Sequence, residues 1–464
     1  MISERMKVSG ASFRDPSGFV VERDGEFLRV VQPAYAEHYK CLFDSGLYEE
    51  LTGRGLLIPH EEIATEGFDG AFKVLRPRQL PYVSYPYEWC FSQLKDAALA
   101  TLAIQKTALS HGMMLKDAPA FNLQFLDGKP VLIDTLSFEK LRLEPWAAYG
   151  QFCRHFLAPL ALISLCDPRL GRLSQIHLDG IPLGVATRLL PWRGRLNFWL
   201  LVHLYWHAAN EQRELPPGAG AASQAGSGKL RLSSLQGLVA GLEAAVKKLR
   251  WQPPKTAWAT YYASSVTGGK YVEHKQQVVA EFLKSVQPRS VWDLGANTGL
   301  FSRLAADAGA ETVSFDADSD CVEINYLQTR KEGGRRLLPL WMDLTNPSPA
   351  LGWEHRERLS WLERRPPDMT LALGLVHHLA IANNLPLERI RDFFGRLGPW
   401  LAVEFVPKED PNARKLLRVR EDIFPGYTRE NFEREFSRGF AIQRSAPLQD
   451  SPRVLYLMRN QRNA

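Results

Sequence analysis

The sequence predicts an α/β class of fold: a doubly wound, mostly parallel sheet in the C-terminal half, joined to an N-terminal α+β domain that is mostly helical. Three observations predict it. From about residue 255 helical and strand patterns alternate, as the crossovers of a parallel sheet require. Val291-Trp292-Asp293-Leu294-Gly295-Ala296-Asn297-Thr298-Gly299-Leu300-Phe301 runs from an apolar strand into an acid, a glycine-punctuated turn and a helix reaching Ala308. Residues 15 to 250 instead open with a hairpin signal and close on long helices of 3.6-type spacing.

A chain of 464 residues holds two full cores, and Trp251-Gln252-Pro253-Pro254 is the natural break, giving domains 1–253 and 254–464. The net charge of +6 and pI near 9.0 permit a phosphate-bearing partner without requiring one. Arginines crowd the C-terminal half (Arg356, Arg358, Arg364, Arg365, Arg389, Arg391, Arg396) and read as a solvated face. Five cysteines without CxxC pairing argue against zinc or a disulfide framework and suit a cytoplasmic protein. Met1 to Arg14 lacks the apolar core of a signal peptide. Phe152 to Leu165, interrupted by Arg154 and His155, is too short to span a bilayer.

In the N-terminal domain, Asp24-Gly25 between two apolar runs marks a hairpin. Tyr35 to Gly53 has helical spacing, and Phe72–Leu75 and Tyr82–Tyr85 read as strands. Trp89 to Ser110 is a long amphipathic helix, and Asp127-Gly128 a second hairpin whose returning strand ends on Asp134. Helices follow over Trp146–Cys166, Pro191–Asn210 and Leu235–Trp251, with a Gly/Ala/Ser-rich mobile loop at 214–229. Asp117, Asn122 and Asp134, with His111-Gly112 before them, resemble the catalytic-loop and metal-binding parts of the protein-kinase C-lobe. No glycine-rich phosphate loop accompanies them, Lys73 is a poor strand lysine, and Asp134 is followed by Thr135-Leu136. The alternative is a plain hairpin whose Asn122 and Asp134 cap turns.

In the C-terminal domain a helix over His274–Val286 leads into the strand Ser290–Asp293. The next strand, Thr312–Asp316, ends in an acid some twenty residues past the glycine loop, where it can accept both hydrogen bonds of a ribose diol; capping a helix together with Asp318 is the alternative. Leu337–Trp341 leads to Asp343, and Met369–Leu373 opens into Gly374-Leu375-Val376-His377-His378. Adjacent histidines cannot face the same way, so one points to the cleft, where a neutral imidazole takes a proton; for His378 the alternative is a cap or packing beneath the loop. Trp400–Val406 carries Glu404 inside an apolar run, either orienting substrate or serving as half of a structural ion pair. A helix over Arg429–Phe436 and the strands Phe440–Ile442 and Arg453–Met458 finish the pattern.

The D-x-G-x-x-x-G at Asp293, Gly295 and Gly299, with the strand-end elements at Asp316, Asp343 and Gly374, resembles the class I S-adenosylmethionine-dependent methyltransferases. The resemblance implies a Rossmann-like seven-stranded sheet and S-adenosyl-L-methionine as cofactor. It implies cofactor contacts at Asp293, Gly295, Asn297, Gly299, Asp316, Asp343 (towards the adenine amino group) and Gly374. Catalysis falls to His378, His377 and Glu404, without a metal. No Asn/Asp-Pro-Pro-Tyr/Phe follows the fourth strand, which favours an oxygen acceptor, of small-molecule or glycan type rather than nucleic acid. The other readings are a bifunctional kinase–methyltransferase and a non-catalytic nucleotide-binding module. The first half of the chain is expected to aid substrate binding.

Overall fold

The computed structural model describes residues 6–211, 231–253, 269–334, 336–418 and 421–461; the expected loop at 214–229 lies outside them. The described residues form two compact units. One is Met1–Gln252 together with Ala350–Arg358, and the other is Pro253–Pro349 together with Leu359–Ala464. No helix among the described residues is long and apolar enough to cross a membrane.

The first unit opens on a five-stranded antiparallel sheet, in spatial order Met6–Val8, Gly18–Arg23, Glu26–Val31, Lys73–Pro77 and His60–Ile63. Its tightest turn is Asp24-Gly25, both residues at positive φ (54° and 80°), so Arg23 pairs directly with Glu26. The helix expected over Tyr35–Gly53 is two helices, Ala36–Asp44 and Leu47–Gly53, because Gly46 turns the chain at φ 76°. Tyr82–Tyr85 is not a strand. There Ser84 donates its N–H to the Gln124 side chain, and Glu88 accepts from Tyr85 N to cap the turn that Pro86 begins. The long helix Phe91–Ser110 and the hairpin Leu123–Leu126/Lys129–Leu132 follow, then helical segments that include π-turns at Cys153–Leu157 and Leu201–Trp206.

The second unit is labelled here in chain order: α1 Gly269–Val286, β1 Ser290–Leu294, α2 Leu300–Asp307, β2 Glu311–Asp316, α3 Ser319–Lys331 and β3 Leu337–Trp341. After these come β4 Met369–Ala372, α4 Leu387–Phe394, β5 Trp400–Phe405, α5 Pro411–Leu417, α6 Arg429–Phe436, β6 Phe440–Pro447 and β7 Val454–Asn460. The seven strands lie in the order 3-2-1-4-5-7-6, parallel except for β7, which runs antiparallel to both β5 and β6. This is the Rossmann-like sheet that the methyltransferase resemblance implies. Central strands buried on both faces need continuous apolar sequence, and Met369–Ala372 and Leu401–Phe405 are buried throughout. Val279, Phe282 and Phe301 cover one face around Val291 and Leu371. Trp361, fully buried, stacks on Trp292 at a ring distance of 5.0 Å and meets Phe315 edge to face at 5.5 Å.

Between β3 and β4 the chain leaves this unit. Trp361 N donates to Ser348 O at 2.9 Å and closes the neck of the excursion. Residues 350–358 belong to the first unit, where Arg14 pairs with Glu357 at 2.5 Å and the Arg358 guanidinium lies 4.2 Å over Phe121. Arg364 is also buried, so the arginine-rich stretch is not a uniformly solvated face.

Candidate functional site

The strand order reverses between β1 and β4, and open α/β sheets bind ligands beyond the carboxyl ends of the strands at such a switch point. The glycine loop leaves β1 there and Gly374 leaves β4 there. A Cβ on Gly295 would meet Leu375 Cδ1 at 3.3 Å, so the two strand ends face one another.

Three alternate residues of the loop hold positive φ: Gly295 (71°), Asn297 (53°) and Gly299 (82°). Asparagine tolerates that conformation better than most side-chain-bearing residues. Gly299 has a second reason. A Cβ there would stand 2.4 Å from the Asn325 amide oxygen, inside α3. Asn325 is fixed in turn by its amide donating to Ser314 Oγ at 2.9 Å. Arg303, buried, donates to the carbonyls of Thr298 and Gly299 and ties the loop to its own helix. Asp293 lies beneath the loop rather than on it. It is 2% exposed, and Oδ2 accepts from Ser302 Oγ at 2.6 Å. Burial pushes its carboxyl up to about 6, against the pull of Ser302 and Lys275.

Asp316 ends β2 and reaches both turns beside it. Oδ2 accepts from Asn297 N at 2.7 Å and Oδ1 from Asp318 N at 2.8 Å. Burial raises its carboxyl to about 6, opposed by these backbone donors. The helix cap is Asp318, whose own side chain accepts from Asp320 N. Asp343 forms a turn of its own, Oδ1 accepting from Thr345 N and Thr345 Oγ1 at 2.9 and 2.7 Å.

At the end of β4, His377 is 2% exposed and His378 half-buried, their rings 4.1 Å apart. Among the described residues neither nitrogen of His377 has a hydrogen-bond partner. Burial lowers both imidazoles below the ordinary histidine value; for His377 the next cause is His378, and for His378 it is Arg453. A π-turn over His378–Ala382 follows.

Glu404 is fully buried, in the arrangement of an ion pair rather than of an acid open to substrate. Oε2 takes Lys275 Nζ at 2.6 Å, and Oε1 takes the Tyr271 hydroxyl at 2.6 Å with Arg453 Nη1 at 3.5 Å. Arg453 is bidentate on Asp410 at 2.7 and 2.9 Å. Burial works against the charge of Glu404, but the two cations outweigh it and hold the carboxyl at about 2. Tyr271, Lys275, Arg453 and Asp410 escape a motif search because they lie far apart in sequence. Lys275 did leave a signal: it falls on the apolar stripe Tyr271, Val278, Val279, Phe282 of α1, where a lysine needs a buried partner.

In the first unit Asp117, Asn122 and Asp134 also meet, as a capped turn. Asp134 accepts from Leu136 N at 3.1 Å, from Ser137 Oγ at 3.0 Å and from Asn122 at 3.4 Å, and pairs with Arg29 at 2.7 Å. Burial, and then the charge of Asp134, raise Asp117 to about 6. Among the described residues no group of three or more His, Cys, Asp or Glu could hold a metal ion.

Comparison with known proteins supplies the lineage. No family model matches the chain. Solved structures resemble it in part. The N-methyltransferase NodS from Bradyrhizobium japonicum WM9 has 13% identity, covering 42% of this chain and 98% of its own, at a TM-score of 0.32. Magnesium protoporphyrin IX methyltransferase (ChlM) from Synechocystis PCC 6803 has 17% identity over 44% of this chain and 95% of its own, at a TM-score of 0.31. At those scores the fold assignment rests on the strand order itself. Over its whole length the chain is similar to the nodulation protein NoeA of Rhizobium meliloti (strain 1021), 34% identical over 466 residues that span 97% of this chain and 95% of that protein. The chain belongs to the same family as that NoeA protein.

Proposed function

We propose that the protein is an S-adenosylmethionine-dependent methyltransferase that holds its donor at the switch point and methylates a hydroxyl of a small molecule or glycan. The observation that carries this reading is His377. A buried polar group without a partner is rare and costs free energy until something fills the bond. Among the described residues His377 is such a group, three residues beyond the Gly374 turn.

The residues around it suit the donor. The positive φ of Gly295, Asn297 and Gly299 turns the loop into the start of α2, where N–H groups and the helix dipole favour the carboxylate of the donor's amino-acid end. Each oxygen of Asp316 accepts one backbone N–H and keeps capacity for another bond, as a ribose diol requires. Asp343 is left for the adenine amino group through Oδ2. Among the described residues a Cβ on Gly374 would touch only Glu404 Oε2, at 3.5 Å, so that turn is open to a guest. Asp293 and Glu404 act underneath, the first anchoring the loop through Ser302 and the second holding Lys275 and Arg453 in place.

The donor supplies an activated methyl group, and the protein must align it with a nucleophile. His378, the more open of the pair and neutral, accepts the hydroxyl proton. His377 serves as a hydrogen-bond partner that fixes the bound molecule. The N-terminal unit aids acceptor binding. The Asp134–Arg29 ion pair disfavours phosphoryl transfer there, since a guanidinium takes the carboxylate that a metal would need.

Calorimetric titration of the full chain with S-adenosylmethionine tests the donor. Binding is expected, weakened roughly tenfold or more by Asp316→Ala, which removes charged hydrogen-bond acceptors. No heat of binding, or an unchanged affinity in that variant, refutes the reading. Transfer of labelled methyl groups into cell fractions tests the acceptor, and label confined to RNA would overturn the hydroxyl assignment.

A further inference from the structure

From Gly180 to Asn210 the sequence carries arginines at 188, 193 and 195 and no Asp or Glu at all. The structure puts the middle of this stretch on the surface of the first unit. Trp192, Leu196 and Phe198 are 72, 74 and 60% exposed, and Leu189 is 46% exposed. Single apolar residues on a surface need no explanation. Here they come within ten residues on the tight turn Trp192–Leu196 and the starts and ends of the helices beside it. The turn has an inside and an outside. Gly194 is buried, the place of its missing Cβ lying 2.9 Å from the Tyr205 hydroxyl and 3.7 Å from Leu165 and Leu190, while its four neighbours in the turn face out. The backbone is therefore seated, and the projecting Trp, Leu and Phe are not frayed chain.

Arg188, Arg193 and Arg195 are exposed among them, and no carboxylate pairs with any of the three among the described residues. Arg195 instead lies 5.4 Å over the Tyr205 ring. Water alone gives no reason to set guanidinium groups without carboxylate partners beside exposed indole and phenyl rings. An anionic lipid surface does: the rings enter the headgroup boundary and the arginines meet the phosphates.

We propose that this patch docks the protein on an anionic membrane surface, lying on the bilayer without crossing it. The partner is fixed by charge complementarity: three exposed cations with no carboxylate partner among the described residues, no acid in the stretch, and side chains suited to the interface. The proposal is independent of the activity assigned to the second unit.

The test is co-sedimentation of the full chain with vesicles of phosphatidylcholine alone or mixed with phosphatidylglycerol. The protein is expected to pellet with the mixed vesicles and to be released by salt. Replacing Arg188, Arg193 and Arg195 together by Gln should lower partitioning on the order of a hundredfold, since each basic residue near such a surface contributes roughly fivefold. Trp192→Ser with Phe198→Ser should abolish pelleting, with circular dichroism and the thermal transition unchanged because both side chains are exposed. Failure to pellet with either vesicle, or equal pelleting of the triple-glutamine variant, overturns the proposal. So does concentration-dependent self-association that Trp192→Ser removes while vesicles stay unbound, which assigns the patch to a second copy. Should the variants misfold, quenching of wild-type tryptophan fluorescence by brominated phosphatidylglycerol decides, and absence of quenching refutes the docking.

Discussion

Glu404 shows how a single carboxylate organises a site without entering it. With Lys275 and Arg453 on its oxygens, removing the charge leaves Lys275 buried without its carboxylate, beside Arg453, which keeps only Asp410. Glu404→Gln should therefore lower stability by about 3–5 kcal/mol, read from urea unfolding at neutral pH. The sign of the pH effect follows from its depressed value. In the fold the group titrates at about 2 instead of 4.5, so its contribution is complete above about 4.5 and lost as pH falls through 2. The variant should accordingly lose less stability than the wild type between pH 4.5 and 3. A second pH effect concerns activity. Since burial lowers His378 below 6.5, the acidic limb of kcat/KM should lie below that value, and His378→Ala should remove the limb along with most of the rate. A limb at the same position in His378→Ala would assign it to another group.

Elements make the loop rigid, and glycine does two different jobs in them. Gly25 has positive φ with nothing among the described residues within 4 Å of its missing Cβ, whereas Gly299 has positive φ and the Asn325 amide at 2.4 Å. Gly25→Ala should cost about 1–2 kcal/mol, the left-handed penalty alone. Gly299→Ala should cost roughly 2–5 kcal/mol, because overpacking against α3 adds to it. Paired thermal unfolding curves compare them directly. Helix α1 is held from below by Tyr271, which donates to Glu404 and accepts from Arg453, so Tyr271→Phe should cost about 1–3 kcal/mol. The elements are also where the sequence was most readable. Strand ends at Asp316 and Trp341 and the turn at Gly374 follow from apolar runs closed by polar or glycine punctuation. Which of two adjacent histidines is buried did not follow, since periodicity cannot orient residues just past a strand. Nor did the Lys275–Glu404–Arg453 network, which forms only when α1, β5 and the start of β7 pack together.

At the scale of the molecule, the residues 350–358 were invisible in the sequence because they carry no helical or strand period. They fill a place in the first unit: a Cβ on Gly10 would stand 2.3 Å from Arg356 O, and Glu357 binds Arg14. A fragment ending at Gln252 lacks them. It should unfold at lower temperature than the same unit within the whole chain, and a synthetic 350–358 peptide should raise its transition. If the fragment melts unchanged, the segment is not structural.

The same excursion bears on descent. A chain that passes from one unit to the other at 252–253, at 349–350 and again at 358–359 offers no single point at which a gene could be cut to exchange one unit for another. A crossover at the first passage alone would hand the recipient a first unit missing a piece of itself. The two units are thus expected to be inherited as one block, and the likeness to NoeA running over 97% of this chain has the form such a block leaves.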